Sequence, residues 1–198
     1  TSVAENKTNK ILQTYYSAFF SMGMLSGGLC SGLYRYLEFN SYILFFILIL
    51  FGLISTLFVF NFGLKKQYDE IEKTEKFKIP ENKLLIYSLY LFLFFATVTA
   101  IVDWAPLWFE KELLTSSLIA SLTIVSWFSG ETISKFFGAI LIETFNEKII
   151  GCYLPLLGAI IYLIIVFFGN YYLILIGLFV LGFTTANFVP IIIRLALK

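Results

Sequence analysis

The sequence predicts an all-α membrane protein with six transmembrane helices. Three observations carry that prediction. Of its 198 residues, 59% are hydrophobic and only 14% are charged, whereas a soluble domain is nearer half apolar and a quarter charged. The apolar residues fall into blocks of about 20, the length needed to cross a bilayer as a helix. The blocks are continuous rather than alternating at period two, which favours helices over a barrel.

The blocks are taken in order. Residues 1–13 are short and polar. The first span is expected from Thr14 to Tyr34 and the second from Tyr42 to Phe62. Asn61 to Lys83 then reads NFGLKKQYDEIEKTEKFKIPENK, with six lysines and five acids, the one long polar run among the spans. Its alternating signs read as a solvated, ion-paired face. Four further spans are expected at Leu84–Phe109, Ser116–Phe145, Ile149–Phe168 and Tyr171–Leu197.

Six spans put both chain ends and the central loop on one side. That side carries Lys7, Lys10, Lys65, Lys66, Lys73, Lys76, Lys78, Lys83, Lys148, Arg194 and Lys198, against Arg35 and Lys111 opposite. The bias places the loop and both ends in the cytoplasm, with Trp104 and Trp108 toward the outer interface.

Several function classes are disfavoured. The net charge of +1 gives no basic excess for nucleic acid. The sequence contains no histidine, which excludes an HExxH zinc protease and a Ser-His intramembrane protease from this chain. Cys30 and Cys152 stand alone in apolar blocks and form no disulfide or metal pattern, so no metal or cofactor is expected. No signal peptide is recognisable.

Polar and small residues inside the spans are the candidate functional features. In the first span Gly23, Gly27 and Ser31 form one stripe and Gly28 and Gly32 an adjoining one, a surface for close helix packing. In the third, Pro106 cannot donate to the Val102 carbonyl, so a kink or break is expected near Asp103. Asp103 is either a polar-pathway residue or an outer-interface carboxylate in contact with headgroup water. In the fourth, Glu131 precedes Lys135 by four residues, the favourable order for a helical ion pair. A charge at the bilayer centre costs about 2.5–3.5 kcal/mol, so neither residue should face lipid. Gly130, Ser134 and Gly138 form a small stripe beside them. The pair either knits two helices together or faces a cavity where it meets substrate or a proton. In the last span Asn187 is open to the same two readings, interhelical hydrogen bonding or a cavity, and Pro190 should weaken the helix.

Four stretches resemble the major facilitator superfamily, in particular its fucose-permease-like sugar/drug branch. SAFFSMGMLSGGLCSG is similar to the small-residue fifth helix of that branch. AIVDWAPLWFEKEL resembles its seventh helix, where Asp103, Trp104 and Leu107 match an acidic-Trp signature. SKFFGAILIETFNEKII looks like a worn copy of the loop motif between helices eight and nine, with Lys135, Gly138 and Glu143 at its basic, glycine and acidic positions. GFTTANFVP is similar to the tenth helix, with Asn187 and Pro190 on matching positions.

The resemblance implies a secondary transporter covering helices five to ten of twelve. Residues 1–60 would hold the last two helices of the N-terminal half, 61–83 the central loop, and 84–198 the first four helices of the C-terminal half. It implies alternating access in the cytoplasmic membrane, a small-molecule substrate, surrounding lipid, and the missing helices of the same transporter as partners. Asp103, Trp104, Glu131, Lys135 and Asn187 are the expected pathway residues. Asp103 and Glu131 are the candidate proton acceptors, because a low-dielectric site favours the neutral carboxyl. An intramembrane lipid-modifying enzyme and a non-transporting multi-pass protein are the rival readings.

Overall fold

Continuous apolar runs without strand alternation fold as helices, since a backbone in lipid must satisfy its own hydrogen bonds. The computed structural model describes residues 13–62, 82–167 and 170–196, and these contain helices and short connections with no strand. The helices are α1 (Gln13–Tyr36), α2 (Ser41–Phe62), α3 (Asn82–Lys111), α4 (Ser117–Phe136), α5 (Gly138–Thr144), α6 (Leu154–Phe167), α7 (Tyr171–Thr185) and α8 (Phe188–Ala196). A π-helical turn at Ile149–Tyr153 leads into α6. Most of the central charged stretch lies outside the described residues.

Among the described residues, four stretches are long and apolar enough to cross a membrane: Tyr42–Asn61, Asn82–Lys111, Ile149–Phe167 and Tyr171–Ala196. The expected first and fourth spans, α1 and α4, fall short of that apolarity because serine, glycine and charged residues interrupt them. These two helices form the most extensive interhelical contact among the described residues. They run antiparallel, and a Cβ on Gly28 or Gly32 would run into Ile124 or Ser121 of α4. Small residues thus let polar helices meet each other instead of lipid.

The core lies between α3, α4 and α7, around Phe109, Trp127, Phe128, Ile174 and Leu178. There, Gly130 of α4 faces the Phe179 carbonyl of α7, and Gly182 of α7 faces the Trp127 carbonyl of α4, with no room for a side chain at either point. By contrast α2 is exposed along nearly its whole length and packs extensively on none of the other described helices.

Local chemistry refines the expected helices. The fourth span is not one helix: it breaks at Phe137, and the buried Gly138 opens α5. The stretch likened to a loop motif is therefore mostly helical, with Lys135 inside α4 and Gly138 in α5. Of the kink or break expected near Asp103, the break does not occur: α3 runs unbroken through Pro106. The last span divides at Ala186–Asn187, and Pro190 falls in the first turn of α8, where its missing N–H costs no helical bond. Before Pro155, the chain takes the wider π turn, in which the Leu154 N–H reaches the Ile149 carbonyl. That widening relieves the clash a proline makes with the carbonyl four residues back.

Candidate functional site in the interhelical cavity

The site begins with two pairs of residues spaced four apart. Ser17 and Ser21 share one face of α1, and Glu131 and Lys135 share one face of α4. Because α1 and α4 pack antiparallel, the Ser21 side chain and the Ser17 main-chain carbonyl meet Glu131 and Lys135. Lys135 Nζ forms a close ion pair with Glu131 Oε1, donates to Ser21 Oγ at 2.9 Å, and reaches the Ser17 carbonyl at 3.5 Å. Ser21 Oγ in turn donates to the Ser17 carbonyl at 3.1 Å.

An ammonium has three N–H donors, and all three are used here. The side chains of Lys135 and Glu131 are only 7% and 15% exposed, so this pair is buried. A buried ion is tolerated where paired and hydrogen-bonded, and costly where one partner is removed. Lys135 meets that condition completely and Glu131 does not: its Oε2 is buried without a hydrogen-bond partner.

Glu131 and Lys135 lie on the wall of a cavity of about 480 Å3 between α1, α3, α4 and α8. Ser17, Phe20 and Met24 line it from α1, and Phe94, Phe95, Val98, Thr99, Val102 and Asp103 from α3. Phe128 of α4 and Val189, Pro190 and Ile193 of α8 complete the wall. The volume suits a small organic molecule. Asp103 stands one turn after Thr99 on α3 and pairs with no described group. Pro106 has no N–H to give the Val102 carbonyl, so α3 lacks one helical hydrogen bond at the cavity wall. A second cavity of about 720 Å3 lies between α3, α4, α6 and α7, with an almost wholly apolar lining.

Of the expected pathway residues, Asp103, Glu131 and Lys135 come together on one cavity. Trp104 does not: it is 66% exposed on another face of α3 and lines neither cavity. Asn187 is 1% exposed and also lies off the cavity. Its Nδ2 donates to the Ser134 carbonyl at 3.3 Å and to Ser134 Oγ at 3.1 Å, tying the α7–α8 junction to α4. Of the small residues expected to pack, Gly28, Gly32 and Gly130 lie at close helix contacts and Ser134 is fully buried. Gly23 and Gly27 do not: a Cβ there would meet nothing within 4 Å.

Sequence reasoning missed Ser17 and Ser21. Their four-residue spacing on a helix rich in small residues was the available signal. Two ion pairs also escaped it. Arg35 Nη2 lies 2.7 Å from Glu110 Oε1, joining the C-terminal ends of α1 and α3. Arg194 Nη1 lies 3.1 Å from Glu147 Oε1, joining α8 to the connection before the π turn.

The sequence model of the Major Facilitator Superfamily matches residues 4–198. No curated protein and no solved structure gives a match.

Proposed function

The chain belongs to the major facilitator superfamily, a family of secondary transporters, and from that premise we propose that it moves a small solute by alternating access. In this reading α1 and α2 belong to the N-terminal half, α3 to α8 to the C-terminal half, and the central charged stretch joins them in the cytoplasm. The chain then corresponds to helices five to ten of twelve in a fucose-permease-like transporter of the cytoplasmic membrane. Helices supplied from outside this stretch complete the bundle.

One observation carries the proposal: the Glu131–Lys135 pair lies on a cavity bounded by α1 on one side and by α3, α4 and α8 on the other. The cavity thus sits where the two halves would meet. Lys135, anchored on α4, bonds to Ser17 and Ser21 on α1 and ties the halves directly. Rocking of the halves has to break those bonds. Protonation of Glu131 weakens the hold on the ammonium, which couples a proton to the movement. Asp103 is the second carboxylate that a proton can reach along the cavity.

Uptake by the full-length protein in proteoliposomes, driven by an imposed pH gradient, tests this. Glu131→Gln is expected to reduce coupled uptake on the order of tenfold or more, the scale of a lost charge interaction in a low-dielectric site, and Asp103→Asn to reduce it as well. Unchanged coupled uptake in both variants rejects the coupling role.

The complete bonding of Lys135 also favours a second reading of the pair, as a purely structural tie. Reversing it separates the two readings. In a Glu131→Lys, Lys135→Glu protein, recovery of folding without transport supports the cavity role, whereas recovery of both supports the structural tie.

A further inference from the structure

Helices α3 to α8 are built around two separate hydrophobic clusters. The larger is the core between α3, α4 and α7. The smaller joins Ile142 of α5, Ile150 of the π turn and Ile191 of α8, with Leu141, Leu154 and Leu195 packed against it. A Cβ on Gly151 of the π turn would lie 3.2 Å from Ile191 Cγ2, and the Arg194–Glu147 ion pair closes nearby at 3.1 Å. Thus α5, the π turn and α8 hold one another as a unit.

The chain passes between the two clusters three times, and each passage is interrupted. Helix α4 gives way to α5 at Phe137, the π turn to α6 at Leu154, and α7 to α8 at Ala186–Asn187. A continuous helix resists bending because its hydrogen-bond ladder runs through the bend, whereas helix ends and π turns absorb changes in φ and ψ. All three interruptions fall between the same two clusters, so together they make one joint.

Asn187 fastens that joint. It stands at the break of the last span, and its Nδ2 donates to the carbonyl and to Oγ of Ser134, three residues before the break at Phe137. At 1% exposure it has no water to exchange these bonds with. The next residue, Phe188, rests on the Phe94 ring of α3 with centroids 5.0 Å apart, a contact with no directional bond to break.

We infer that α5, the π turn and α8 turn as one unit on this joint, with Asn187 as its pin. Helix α8 carries Val189, Pro190 and Ile193, so the turn moves one wall of the Glu131–Lys135 cavity against walls held by the larger cluster. Asn187 is therefore a positioning residue: it lines no cavity and sets where the α8 wall stands. The joint does not depend on the transport reading, which supplies only its use.

Hydrogen exchange read by mass spectrometry on the full-length protein in detergent tests this without any transport. Amides at 136–139, 149–154 and 185–188 are expected to exchange faster than those of α4 and α7 on one side and those around Ile142 and Ile191 on the other. Asn187→Ala should speed exchange about tenfold at all three interruptions, the scale of a lost buried hydrogen bond, including the π turn, which Asn187 does not touch. Ser134→Ala, which removes one acceptor and keeps the other, should give the same pattern more weakly and decides the matter if Asn187→Ala does not fold. Protection running unbroken through the three interruptions, or acceleration confined to the neighbourhood of 134 and 187, overturns the inference.

The movement of the wall is read from thiol reactivity in a background without native cysteines. Asn187→Ala should change the labelling rate of a cysteine at Ile193 on α8 and leave that of a cysteine at Val98 on α3 as it was. No change at Ile193, or an equal change at both positions, overturns the inference.

Discussion

Lys135 shows how a charge is kept inside a membrane protein. Its ammonium is shut from solvent yet gives up no hydrogen bond, since Glu131 and the two serines of α1 replace water completely. The stability of the arrangement therefore lies in the set, not in any one contact. Glu131→Gln leaves a buried ammonium without its counter-charge and is expected to cost on the order of 3 kcal/mol. A Glu131→Gln, Lys135→Met double variant removes the stranded charge as well and should recover most of that loss. Thermal unfolding in detergent measures both, and a single variant no worse than the double one contradicts the burial of the pair. Ser21→Ala, which removes one acceptor, should cost about 1 kcal/mol in the same assay. At this scale the sequence was informative about Glu131 and Lys135, because a four-residue spacing on a helix is local geometry. It was uninformative about Ser21, whose role exists only once α1 and α4 lie side by side.

Helices α4 and α7 are held so close that carbonyl oxygens occupy the space beside Gly130 and Gly182. A methyl group at either position has to push a backbone away, unlike one facing the flexible end of a side chain. Gly130→Ala and Gly182→Ala are each expected to destabilise the protein by several kcal/mol, about the upper range for overpacking a filled core. Loss of a monodisperse elution peak would register this, and wild-type melting temperatures in both variants would contradict the contact. The sequence marked Gly130 as small and suspicious but not Gly182. A glycine within an apolar run has no local signature of what it faces. The same limit explains Pro106. A proline predicts a local disturbance, but whether the helix breaks depends on the neighbours that restrain it, and α3 continues through it. The break at Phe137 was equally hidden, since nothing in SKFFGAIL punctuates a helix strongly.

The whole molecule sorts its helices by polarity. The described helix with the highest mean hydropathy, α2, is exposed along its length, while α1 and α4, with their serines, glycines and charges, pack against each other. That arrangement predicts a pattern of water access. In a Cys30→Ser, Cys152→Ser background, single cysteines at Thr99 and Asp103 should react with a membrane-impermeant thiol reagent, and cysteines at Phe51 and Leu53 should not. Equal reactivity at all four positions contradicts a water-accessible cavity and a lipid-facing α2. The side of the membrane is tested separately: a cysteine at Lys73 should label only from the cytoplasmic face, as the charge bias requires. By itself the sequence determined the helical class, the approximate span limits, the acid–base pair on α4 and the family resemblance. All of these follow from local composition and helical spacing, because lipid leaves the backbone no alternative to the helix. Only the tertiary structure decided that Asp103, Glu131 and Lys135 share one cavity, that Trp104 and Asn187 do not line it, and that α1 supplies the serines. Which face of one helix meets which face of another is set by how distant side chains pack together, and no short stretch of sequence contains that information.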